Sequence, residues 1–173
     1  LVMLKRSLDG GRSWSPPTTV ATTSGPDVVP SDVRLALSPS GTLHATWTEY
    51  ALPDGWPPTA SFYARSPNGG DTWAAPHKIA GASHGEVGVA AVDTQVHLVW
   101  RSTIGGDGTF HQYSEDQGIT WQPPNRTADD GGFSGLPGTA VDHRGDVHTT
   151  IGSAFVMRWS NGAATPWLDV SGK

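Results

Sequence analysis

Apolar and polar positions exchange at short intervals along this chain, and no stretch sustains a helical period. Residues 33–37 alternate, Ser38-Pro-Ser-Gly41 turns, and residues 42–50 return as a second run. After a polar loop, residues 61–65 and 76–80 supply two more runs, giving four antiparallel strands in about fifty residues. The pattern then repeats. Residues 87–92, 96–101, 109–113 and 122–127 form the next unit, and 138–141, 146–151, 154–159 and 168–170 the last. Before them stand only two runs, 2–6 and 15–22. The expected organisation is a half unit (1–22) followed by three units (27–80, 81–127 and 130–173).

One phrase sits between the third and fourth run of every unit. It reads Ser7-Leu-Asp9-Gly-Gly11-Arg-Ser13-Trp14, then Ser66-Pro-Asn68-Gly-Gly70-Asp-Thr72-Trp73, then Ser114-Glu-Asp116-Gln-Gly118-Ile-Thr120-Trp121. A worn fourth copy, Ser160-Asn-Gly-Ala-Ala-Thr165-Pro-Trp167, keeps only its ends. The residue types describe a turn. Asp or Asn accepts bonds from its own backbone, Gly takes positive φ, Ser or Thr ties the loop, and Trp covers it. Asp9, Trp14, Asn68, Trp73, Asp116 and Trp121 are therefore expected to be structural. A second phrase keeps the same period: His44, His97 and His148 each follow the first apolar residue of a second run, 53 and 51 residues apart. Packing positions between units explain them better than convergent metal ligands, which must lie about 2 Å from one ion.

These phrases resemble the Asp-box (bacterial neuraminidase) repeats of sialidases and related β-propeller proteins, and the likeness covers nearly the whole chain. It implies an all-β propeller of four-stranded blades, here about three and a half, with the boxes on the rim away from the active site. A closed ring of six or more blades needs roughly 300 residues. The expected arrangement is therefore a partial ring within a longer protein, a ring completed by a second copy of the chain, or an open stack with a covered edge.

Composition narrows the partners. Net charge is −5 with no basic run, which argues against nucleic acid. No apolar run approaches the ~18 residues of a membrane span, and there is no cysteine for a disulfide or a thiolate metal site. No signal peptide is evident in the chain, and since a removed signal leaves no trace the expected setting is secreted or extracellular. No cofactor is implied. Asp129-Asp130-Gly-Gly has a calcium-friendly composition without the ligand spacing of an EF-hand.

Candidate chemistry falls on the face opposite the boxes, where the loops are long and polar. A carboxylate for acid–base work, aromatics for a sugar ring and Arg for a sugar carboxylate would suit a glycan or glycoconjugate. The resemblance implies a hydrolytic site in which Arg residues grip the substrate carboxylate, an Asp is acid/base, and a Tyr nucleophile pairs with a Glu. Glu86, Arg34, Arg101 and Tyr50 are the candidates for catalytic roles, and Trp56, Asp32, His84, Asp107 and Asp130 for substrate binding. The family's early Arg-Ile-Pro phrase has no match; Val33-Arg34-Leu35-Ala36 supplies an Arg without it. The expected function is that of a sialidase-like glycoside hydrolase, or part of one. The alternative is a propeller that binds a glycan or a protein without catalysis.

Overall fold

The computed structural model describes residues 1–79, 86–102, 108–128, 138–142, 144–151, 155–160, 163–164 and 168–169. All regular structure among them is β. A hairpin of β1 (Val2–Leu4) and β2 (Thr18–Ala21) is followed by a sheet of β3 (Val28–Leu37), β4 (Leu43–Ala51), β5 (Ala60–Ser66) and β6 (His77–Lys78), paired in that order. The next sheet, β7 (Val87–Val92), β8 (Gln95–Ser102), β9 (Gly108–Ser114) and β10 (Asn125–Ala128), repeats this order. In the last sheet β11 (Gly138–Val141), β12 (Val147–Ile151) and β13 (Phe155–Ser160) pair in turn. Both β14 (Ala163–Ala164) and β15 (Leu168–Asp169) then pair with β13, at its two ends. All pairings are antiparallel. The first strands β3, β7 and β11 lie side by side.

Strand β3 begins well before the alternating stretch that predicts it. The sequence places 21–32 in a loop because of its Pro, Ser and Asp, whereas the strand starts at Val28 and runs through Pro30, opposite Glu49. Position explains the tolerance: β3 is an edge strand, where a missing N–H need not break a ladder. Between Ser31 and Arg34 the register slips, so that Asp32 and Val33 together oppose one residue of β4. This is a β-bulge, with Asp32 at φ 53°.

The repeated turns share one hydrogen-bond pattern. In the first, Gly11 N donates to Ser7 Oγ (2.7 Å), while Ser13 N (2.9 Å) and Ser13 Oγ (2.6 Å) donate to Asp9. In the third, Gly118 N donates to Ser114 Oγ (2.8 Å), while Thr120 N (2.8 Å) and Thr120 Oγ1 (2.6 Å) donate to Asp116. Asn68 keeps the geometry by reversing one bond: its Nδ2 donates to Thr72 Oγ1 at 3.0 Å. The carboxylates' proton affinity is spent on these bonds, which hold Asp9 down to about 2 and Asp116 lower still.

The turns also dock the sheets together. Gly70 and Gly118 have positive φ, and a Cβ on either would strike the preceding unit: Leu4 at Gly70, the Tyr63 hydroxyl at Gly118. Gly11 has the same φ and nothing within 4 Å. The Trp residues follow suit. Trp73 packs with Val2, Val20 and Trp47, and Trp121 with Tyr63, Leu98 and Trp100, whereas Trp14 is 60% exposed. Trp73 and Trp121 each pack against the preceding unit, so there the lid covers the seam between sheets. Trp47, Leu98 and Trp100 are essentially fully buried, each contributing about 2–3 kcal/mol of transfer free energy.

Two of the three periodic histidines are buried. His44 is fully buried with Nδ1 2.7 Å from Tyr63 Oη, and His97 is fully buried with Nδ1 3.0 Å from His111 Nε2. Burial holds both His44 and His111 near 4 and His97 near 3. The third, His148, is half-exposed and lies 2.9 Å from Asp142 Oδ2.

Candidate functional site: the inner-strand mouth

The bulge in β3 decides which side chain reaches the next sheet. Without it Val33 would stand opposite Thr46; with it Arg34 does. The Thr46 side of β4 faces the second sheet, because buried Thr46 Oγ1 donates to Val87 O at 2.8 Å. Glu86 immediately precedes β7, and Arg34 Nη2 ion-pairs with Glu86 Oε1. The carboxylate is buried at 3% exposure, while the guanidinium is half-exposed.

This pair forms one wall of a cleft of about 340 Å³ completed by Leu35, Gly88, Val89, Gly138 and Thr139. The cleft spans the first strands of all three sheets at their long-loop end. Gly88 and Gly138 contribute backbone to its lining. The chemistry it offers is a cation fixed from behind by a buried carboxylate. Arg carries five N–H donors, and one counter-ion cannot engage all of them. A half-exposed guanidinium oriented in this way can accept a second carboxylate in bidentate fashion.

The other sequence candidates are distributed around this centre. Tyr50, at the same end of β4, donates to Asp32 Oδ2 at 2.7 Å, so the bulge residue is fixed by the phenol. Burial and then this bond raise the Tyr50 phenol above its ordinary value of 10. Arg101 lies near the end of β8, and Trp56, 61% exposed, lies in the loop after β4. Arg101, Tyr50, Asp32 and Trp56 do not line the Arg34–Glu86 cleft. His84, Asp107 and Asp130 lie outside the described residues.

Sequence reasoning missed Glu49. It is 1% exposed and takes bonds from Ser24 Oγ (2.6 Å) and Ser24 N (3.2 Å), tying the loop before β3 to the end of β4. A carboxylate inside the run Thr46-Trp-Thr-Glu49 was the available signal, since an acid in a buried strand must be satisfied. Among the described residues no group of three or more His, Asp or Glu is placed to hold a metal ion. No described helix is long and apolar enough to cross a membrane.

No family model and no curated protein sequence matches the chain. Solved structures do. A protein of unknown function from Dyadobacter fermentans DSM 18053 superposes with TM-score 0.64 at 20% identity, over 96% of this chain and 57% of that one. The Hadza microbial sialidase Hz136 gives 0.65 at 16% identity, over 96% and 40%. An alpha-L-arabinanase from Penicillium chrysogenum, complexed with arabinobiose, gives 0.56 at 14% identity, over 96% and 54%. The fold is that of a sialidase-like β-propeller, and the chain spans about half or less of the length of these enzymes.

Proposed function

We propose that this chain is an Asp-box segment of a glycan-recognising propeller, whose long-loop mouth binds an acidic sugar through Arg34. The observation that carries this reading is the Arg34–Glu86 pair: a buried carboxylate behind a half-exposed guanidinium, in a cleft open to the mouth. Arg34 takes the sugar carboxylate, and Glu86 fixes its orientation. The likeness to sialidase and arabinanase structures supports a glycan as the ligand class.

Recognition fits this chain better than catalysis. A Tyr nucleophile needs a carboxylate to take its proton and must itself reach the bound sugar. Tyr50 donates to Asp32, but the pair does not line the Arg34–Glu86 cleft. A second reading, a sialidase-like hydrolase in which this chain supplies part of the site, is favoured by the enzymes among the structural neighbours.

The test is titration with sodium N-acetylneuraminate, followed by amide chemical shifts, alongside turnover of a fluorogenic sialoside. Saturable shifts at Gly88 and Gly138 that weaken at least about tenfold in Arg34→Gln support recognition. Shifts unchanged by Arg34→Gln, with circular dichroism unaltered, overturn it. Turnover that falls by orders of magnitude in Glu86→Gln decides for the hydrolase.

A further inference from the structure

The box end of the fold carries two clefts that are the same cleft in successive units. The first is lined by Leu4, Arg6, Ser15, Thr18, Gly70 and Asp71, the second by Tyr63, Arg65, Ala74, His77, Gly118 and Ile119. Counted from the Ser that opens each turn, the positions coincide. Arg6 and Arg65 stand one residue before it, Ser15 and Ala74 eight after, and Thr18 and His77 eleven after. From the next unit's turn, Asp71 and Ile119 both stand five residues after the Ser.

The two differ at the position that matters for charge. In the first cleft Arg6 is satisfied internally: Nη1 donates to Gly69 O (2.6 Å) and Nη2 to Asp71 Oδ1 (3.1 Å). In the second, Ile119 replaces the aspartate and is 62% exposed. Arg65 then has no side-chain hydrogen bond or ion pair among the described residues, and no carboxylate lines its cleft. His77 and Trp121 stack at 5.6 Å and 9° to form one wall. Burial lowers the proton affinity of His77, which leaves Arg65 as the cation of the site.

We propose that the Arg65 cleft is a second, peripheral binding site for a carboxylate-bearing sugar of monosaccharide size. The ligand carboxylate takes the place that Asp71 holds in the first cleft. The apolar wall of Trp121, Ala74 and Ile119 receives the C–H face of the ring. The volume of about 310 Å³ is at the small end for ligand pockets and suits one sugar unit. The site lies on the box face, so its occupancy is independent of the mouth.

The experiment titrates the protein with sodium D-glucuronate, D-glucose and sodium acetate at constant ionic strength, reading the amide shifts of Arg65, Gly118 and Ile119. Saturable shifts are expected with glucuronate, at least about tenfold weaker with either of the other two. Ile119→Asp supplies the internal carboxylate and should abolish them while preserving the fold, and Arg65→Gln should do the same. Arg34→Gln should leave them unchanged, which separates this site from the mouth. The converse change, Asp71→Ile, should open a glucuronate response at Arg6. Shifts that persist in both Ile119→Asp and Arg65→Gln, or no saturable shift with the wild type, overturn the proposal. Equal binding of acetate overturns the sugar assignment.

Discussion

Mild acid should weaken this fold before its carboxylates titrate. His44, His97 and His111 are buried, and burial holds their proton affinities near 4, 3 and 4 against an ordinary 6.5. The sign follows from linkage. A group with a depressed folded value binds its proton more tightly when unfolded, so a basic group of this kind favours folding fully only above 6.5. That stability is lost as pH falls from 6.5 towards the folded values, below which both states are protonated. At pH 5.5 the unfolded state gains about 1.4 kcal/mol per histidine, or about 4 kcal/mol for three, whatever the folded values are below about 5. The carboxylates Asp9 and Asp116 contribute only at lower pH, because their stabilisation is lost below the ordinary 3.8. Urea unfolding followed by tryptophan fluorescence reads this directly, with eight Trp in the chain. With a slope of about 2 kcal/mol per molar, the midpoint should drop by about 2 M between pH 7.5 and 5.5. His44→Gln should shrink that drop to about two-thirds. Midpoints within about 0.3 M of each other at the two pH values would refute the burial of these rings.

Three further outcomes follow from the same geometry. Gly118→Ala should cost about 1–2 kcal/mol for its backbone conformation and a further 1–3 for collision with Tyr63, whereas Gly11→Ala should cost only the first, measured by urea midpoint. Thr46→Val removes the bond to Val87 O and should cost about 1–2 kcal/mol, with amide shifts concentrated at Glu86 and Val87. Burial, aided at Tyr50 by Asp32, holds Tyr50 and Tyr63 protonated above the ordinary phenol value. Tyr50→Phe and Tyr63→Phe should each therefore remove absorbance from the late part of an alkaline titration at 295 nm; loss from the early part contradicts the structure.

The repeated turns were legible because their hydrogen bonds join side chains at fixed offsets, so Ser7, Asp9 and Ser13 announce one another along the chain. The start of β3 was not. Pro30 and Asp32 carry loop signals that an edge position and a bulge override, and neither the position nor the bulge is local information. Glu86 and Arg34 each stood out near a strand end, yet their pairing depends on a one-residue register shift within β3, just before Arg34. The contrast of Asp71 with Ile119 is written plainly in the sequence, but gains meaning only once Arg6 and Arg65 are known to look across the seam at the next turn.

The bulged, proline-bearing start of β3 also limits which strands could pair with its free edge. An exposed strand edge invites foreign strands to pair with it, and β3 bears Val33, Leu35 and Leu37, 48–62% exposed. Pro30 offers no N–H, and the bulge at Asp32 and Val33 breaks the regular spacing that a visiting strand must match. Both features work against such pairing over the half of the strand nearest the long loops. Any self-association through this edge must begin at its other end, around Leu35 and Leu37, where a lysine on the exposed side would be the natural place to suppress it.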